Sequence, residues 1–375
     1  MKILFLHEFG PESREWHMQR FADALEKRHE RLQVLYHSGF LKDYLPGGLH
    51  VLRFINLLYC YFTFPLKILW HKPALVLVRT APPGIQIVIS AICVITGTTC
   101  WLWLMDYHPE LEARHLERKW WGGWLAWILR SVDIWALKNF GCIIAINESI
   151  ACICQKRAPN VPMIVHPTWS PETEIQNASP VQIVNIKMAF RGIYVGHLGY
   201  AHDLNGMQRI LNNLPTEVSV KLIFVNVSEA GKRKVGHLKH PKLTIETFPM
   251  KSVEELKNLI EANSIQWGFV CLGDLYKGVL SPSKFHLYLE LGLPVLYTGP
   301  SQTNAWKACT EFNAGIAFTS DSATEEWDIL NAELLDYSRQ KELQANCANA
   351  LDYFDKFGPE SLAQELEPML KAVGI

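Results

Sequence analysis

Short apolar runs of strand length recur along this chain with longer helical stretches between them, an alternation that implies parallel sheets flanked by helices. A strand buried on both faces reads as a continuous apolar run rather than as an alternation. Such runs predict strands at residues 3–7, 32–36, 75–79, 100–105, 143–147 and 163–166, and a second series at 193–196, 222–227, 243–248, 267–272, 294–297 and 315–318. Each series makes one doubly wound α/β sheet.

A length of 375 residues exceeds one ordinary core and favours two domains. Between the two strand series lies Pro167-Thr168-Trp169-Ser170-Pro171-Glu172, then polar residues to Pro180, with prolines that resist helix continuation. The expected domains are therefore 1–172 and 173–375, the last helix being able to return to the first domain. Ligands of open parallel sheets bind beyond the carboxyl ends of the strands, so two facing sheets would make a cleft lined by strand-end loops.

Residues 85–105 carry no charge over a length that could cross a bilayer. Gly97-Thr98-Thr99 breaks that stretch into a buried helix and a central strand ending in Asp106, which favours a soluble protein. The first residues run straight into a strand pattern rather than a signal segment, so the expected location is cytoplasmic. Nine scattered cysteines show no disulfide framework and suit reduced, buried thiols. With 36 basic and 37 acidic residues the chain lacks the electrostatic footprint of a nucleic-acid binder.

Three loops of the second half could hold a phosphate. In Tyr194-Val195-Gly196-His197-Leu198-Gly199-Tyr200, Gly196 and Gly199 let a ligand approach the backbone before a helix start. In Ser283-Lys284-Phe285-His286-Leu287-Tyr288, Ser283 can cap a helix. Lys284 there stands against the helix dipole, as a cation serving an anion would. Gln302-Thr303-Asn304 offers hydroxyl and amide groups at a further helix start. The matching loops of the first half are Phe9-Gly10-Pro11, Pro82-Pro83-Gly84 and Asp106-Tyr107-His108-Pro109-Glu110.

Together these loops resemble bacterial nucleotide-sugar glycosyltransferases of the GT-B architecture, of the lipopolysaccharide, capsule and exopolysaccharide types. Tyr194-Val195-Gly196-His197-Leu198-Gly199 is similar to their Y-x-G-N-x-G segment, with His197 for Asn. Ser283-Lys284, Tyr288 and Gly292-Leu293-Pro294-Val295 resemble P-S-K…Y…G-x-P-V, and Asp106 to Glu110 resembles D-x-x-P-E. Leu287 stands where many retaining members carry a glutamate, so the E-x7-E pair is absent. The segment is closer to galactofuranosyl- and glucosyltransferase-like relatives.

The resemblance implies two Rossmann-like domains facing across a cleft, the second holding a UDP- or GDP-linked sugar and the first a glycan or polyprenyl-linked acceptor. It implies donor contacts from Gly196, His197, Gly199, Tyr200, Asn226, Ser283, Lys284, Tyr288, Gln302, Thr303 and Asn304. Acceptor contacts fall to Gly10, Pro83, Gly84, Asp106, His108 and Glu110. Transfer needs an electrostatic clamp on the departing diphosphate and, in an inverting reaction, a base for the acceptor hydroxyl. Lys284 could clamp without metal or other cofactor, and Asp106 or His108 could be the base. Asp106 could equally be a turn cap and His108 a surface histidine. Asp274 has no partner at D-x-D spacing.

Arg114 to Arg130 mixes cations with tryptophans, which suits either peripheral contact with the inner face of the plasma membrane or packing of long helices. The aromatic run at residues 57–64 could extend that face. Leu287 also leaves room for a catalytically silent GT-B binding subunit, and a nucleotide-sugar epimerase shares the double architecture.

Overall fold

A computed structural model describes residues 1–8, 16–41, 50–80, 82–169, 180–199, 201–319 and 324–375. It divides into two compact units, the first made of Met1–Pro171, Gly278–Ser281 and Lys356–Ile375, the second of Glu172–Lys277 and Pro282–Asp355.

In the first unit β1 (Lys2–His7), α1 (Trp16–Arg28), β2 (Gln33–Ser38), α2 (His50–His71), β3 (Leu75–Arg79), α3 (Ile85–Thr96) and β4 (Thr99–Leu104) follow in order. Then come α4 (Glu110–Glu117), α5 (Gly123–Leu137), β5 (Cys142–Ala145), α6 (Glu148–Arg157) and β6 (Met163–Val165). The strands form one parallel sheet in the order β2-β1-β3-β4-β5-β6. The uncharged stretch that could have spanned a membrane is α3 and β4. Glycines 84 and 97, both left-handed, bound the helix, and the strand lies between β3 and β5.

The second unit carries β7 (Ala189–Val195), α7 (Asn205–Asn213), β8 (Ser219–Val225), α8 (Glu229–Val235), β9 (Leu243–Phe248), α9 (Val253–Ala262) and β10 (Trp267–Cys271). It continues through α10 (Phe285–Glu290), β11 (Val295–Thr298), α11 (Asn304–Thr310), β12 (Gly315–Phe318), α12 (Thr324–Leu334) and α13 (Tyr337–Asp355). Its sheet is also parallel, in the order β12-β11-β10-β7-β8-β9. The order reverses between β7 and β10, and in the first sheet between β1 and β3.

The last helix, α14 (Pro359–Ala372), belongs to the first unit. It buries Leu362, Ala363, Leu366 and Leu370, packs on α1, and sets Glu367 beside His29 at 3.2 Å. Proline at its first turn, after Gly358, gives up no hydrogen bond there.

On the outside of the first sheet α3 packs between α2 and α5. The face these helices show to water is apolar: Trp70 is 83% exposed, Trp124 62% and Trp127 69%, with Phe54, Phe62, Leu66 and Ile95 also exposed, and Trp120, in the turn before α5, is 97% exposed. The tryptophans therefore do not pack into the core. In α5 only Ala126, Asp133, Ala136 and Leu137 are buried. By length and composition residues 51–71 of α2 could cross a membrane. All nine cysteines are free, and all but Cys152 are buried.

Candidate functional site

In the second unit the reversal point falls between β7 and β10, and ligands of such sheets bind beyond the carboxyl ends of the strands there. Directly after β7 the chain turns at Gly196, whose φ is 108° and whose amide donates to the Val225 carbonyl. A Cβ on Gly196 would lie 2.9 Å from Cε of Lys284, so glycine is what lets the lysine cross the turn. Lys284 Nζ reaches the Tyr194 hydroxyl at 2.6 Å, the His197 carbonyl at 3.0 Å and His202 Nε2 at 2.9 Å, and lies over the Tyr194 ring. Burial pulls its pKa down to about 8. Asn226, at the end of the neighbouring β8, takes the left-handed conformation and bonds through its amide to Phe248.

In the first unit the reversal point falls between β1 and β3, and charged groups cluster at the strand ends. Glu8 follows β1, is 1% exposed, and accepts from Arg53 Nε at 3.3 Å; burial holds its pKa above the ordinary value against the pull of Arg53, His108 and Arg79. Arg79 ends β3, and burial lowers its pKa to about 10 against Asp106 and Glu8. Asp106, beyond β4, is open to water yet densely surrounded, and the lost hydration raises its pKa despite His108 and Arg79. Burial opposes protonation of His108. The 2.5 Å bond from Nδ1 to Glu112, with the charges of Glu112, Asp106 and Glu8, outweighs it and raises the pKa. Gln86 donates to the His108 carbonyl and Tyr61 to that of Pro83, which ties the Pro83-Gly84 turn and the His108-Pro109 segment, joined by a cis peptide bond, to one set of helices.

No protein-family model and no curated protein sequence matches this chain. Its likeness is to solved structures. Sucrose-phosphate synthase from Thermosynechococcus elongatus superposes with a TM-score of 0.67 at 10% identity, over 100% of this chain and 99% of that one. WaaG, a glycosyltransferase involved in lipopolysaccharide biosynthesis, gives 0.61 at 13% identity, over 97% and 99%. HepE from Anabaena, solved with UDP-glucose, gives 0.59 at 14% identity, over 99% and 100%. With two parallel six-stranded sheets and interleaved helices, the chain has the GT-B fold.

Within the GT-B scaffold several expected contacts turn out otherwise. Tyr288 is buried: its hydroxyl accepts from the Val195 amide at 2.9 Å and faces the Ile193 and Phe269 carbonyls, while its ring fills the space a Cβ on Gly268 would need. It is a strut inside the sheet and not a donor contact. Glu110 is held by Arg114, Arg130 and Arg157, which bring its pKa to about 2 against burial, so its carboxylate is spent on the fold rather than on an acceptor. Ser283 places no side-chain cap on α10, whose N-cap position is Lys284 itself. Thr303 is buried and uses its hydroxyl to cap α11 through the Trp306 amide, leaving Gln302 and Asn304 as that loop's amide groups. Gly10 and Tyr200 lie outside the described residues.

The remaining residues gather in two sets, each within its own unit. Gly196, His197, Gly199, Asn226 and Lys284 meet at the end of β7 and β8. Asp106 and His108 stand with Pro83 and Gly84 at the ends of β3 and β4. Glu8, Arg79, Glu112 and His202 escape a motif-based reading. For Glu8 and Arg79 the place follows from strand order, which puts β1 beside β3, whereas Glu112 stands one turn beyond His108 in α4 and His202 lies in the loop after β7.

Proposed function

We propose that this GT-B chain transfers a sugar from a UDP- or GDP-linked donor to a glycan or polyprenyl-linked acceptor, without metal or other cofactor, at the cytoplasmic face of a membrane. The observation that carries the reading is Lys284 laid across Gly196 at the strand reversal of the second sheet. It is a half-buried amine at a turn where backbone amides and the loop could approach a ligand. Bound UDP-glucose in HepE supports that class of donor.

Of the two candidate bases, the geometry favours Asp106. His108 is bonded to Glu112 and tends to carry its proton, whereas Asp106 is open to an incoming hydroxyl and its raised pKa makes it the stronger carboxylate base. The apolar face of α2, α3 and α5 suits the membrane. Its helices carry no exposed acid, since Asp133 is buried, and Arg118, Lys119, Lys72 and Lys138 stand exposed around it. Arg114 and Arg130 contribute less to that charge, being engaged by Glu110 and Glu117.

Release of free nucleoside diphosphate, measured across a panel of nucleotide-sugars with and without membrane lipid extract, tests the reading. Release stimulated by lipid and abolished in Lys284→Ala supports it. A protein that binds no donor across the panel is the silent partner subunit that Leu287, packed against the core, also allows.

A further inference from the structure

The hydrogen bonds around Lys284 can be balanced proton by proton. The Gly199 amide is a fixed donor and gives its hydrogen to His202 Nδ1 at 3.1 Å. Burial, with Lys284, His197 and Lys234 beside it, lowers the His202 pKa to about 3, so the ring is neutral and holds one proton. That proton must sit on Nε2, which therefore donates across 2.9 Å to Lys284 Nζ. An ammonium has no lone pair to accept it; a neutral amine has one. The amine's two hydrogens then go to the Tyr194 hydroxyl and the His197 carbonyl, and the Tyr194 hydroxyl passes its own to the same carbonyl at 2.9 Å. Every donor meets an acceptor, and none is left over.

From this arrangement we infer that His202 is a positioning residue that holds Lys284 as a neutral amine in the empty site in weakly alkaline solution, and that a nucleoside diphosphate is captured there together with one proton from solvent. The inference rests on the proposed donor site. The other groups facing the lysine do not supply its charge: Tyr194 comes from β7, His197 from the loop beyond it, Lys234 from α8, where it donates to the Gly199 carbonyl, and Cys271 from β10 with its thiol pushed up to about 12. Among the described residues no carboxylate pairs with Lys284. The balance is simple: neutral amine, diphosphate and one proton give an ammonium–diphosphate pair. The pKa near 8 leaves that proton loosely held close to neutral pH.

Calorimetric titration of the full chain with UDP and with GDP, at pH 8.5 in buffers of different ionisation enthalpy, counts the protons. At this pH the nucleotide itself is fully ionised. Wild type should take up about three-quarters of a proton per nucleotide, the neutral fraction expected at this pH for a lysine near 8. In His202→Asn the amide oxygen can still accept from Gly199 while the Nε2 donor is gone, and uptake should fall below about 0.2. Nucleotide binding with no proton uptake in wild type overturns the inference alone, as does unchanged uptake in His202→Asn. Failure of either nucleotide to bind overturns the donor-site reading beneath it. The ε-carbon resonance of Lys284 in the ligand-free chain gives a second readout: titration above pH 10 in wild type would also sink the inference.

Discussion

The two halves of the molecule have the same plan, a parallel six-stranded sheet dressed with helices, yet their outer helices are built for different surroundings. Among the described residues of the second half the exposed large apolar side chains are Val184, Met188, Met250 and Ile329, few against those of the first half. In the first half α2, α3 and α5 present a continuous band of tryptophan, phenylalanine, leucine and isoleucine. A sheet constrains only the inward stripe of each covering helix. The outward stripe is free to follow the solvent it meets, so one topology can carry the proposed nucleotide site in one half and an exposed apolar face in the other.

That contrast can be broken by variants that strike one half at a time. Lys284→Ala should weaken nucleotide binding by about a thousandfold, the scale of losing one preorganised charged donor, and leave vesicle binding untouched. A calorimetric titration beside a vesicle sedimentation assay reads both. The mirror experiment replaces Trp120, Trp124 and Trp127 with serine. Partition onto vesicles containing anionic lipid should fall at least about a hundredfold, with nucleotide affinity unchanged. Nucleotide affinity falling with the tryptophans, or vesicle binding falling with the lysine, would show that the two halves do not divide the work.

Stability separates the halves more finely. Glu110→Gln should cost about 3 kcal/mol at pH 7, because Arg130 and Arg157 lose a buried carboxylate. The Glu110 pKa is depressed to about 2, so its contribution is complete above the ordinary glutamate value and is lost as pH falls from there toward 2. Denaturant titrations of wild type and variant should therefore converge in acid; a gap that persists at pH 2 would assign the cost to packing. Smallest is Tyr288→Phe, which orphans the Val195 amide and should cost about 1.5 kcal/mol while nucleotide affinity stays within about twofold. A large affinity loss would restore Tyr288 to the donor site.

How much of this could be read in the residues alone depends on the range of the interaction. The strands were legible because a buried parallel strand is an unbroken apolar run, as Leu75–Arg79 shows, and Gly97 marked the break that turned a would-be span into α3 and β4. Gly196 and Lys284 were legible as a turn glycine and an isolated cation, though not their contact, which spans the sheet. Tyr288 was misread because a phenol beside a candidate site reads alike whether it points out or in; only the empty space at Gly268 decides it. Glu110 stood in a matching motif while its arginines came from α4, α5 and α6. Glu8 was passed over because β1 pairs with β3, an adjacency set by sheet order and not by sequence spacing.

The return of α14 to the first sheet has a consequence for how the chain comes off the ribosome. The first half is synthesised ahead of the second but lacks the helix that covers α1 until the whole second half has been made. The surface that will receive Leu362, Leu366 and Leu370 is left bare through that interval. Domains that fold in order of synthesis normally complete the leading one first; here the trailing half can close before the leading half, and the early intermediate is the one that calls for a chaperone.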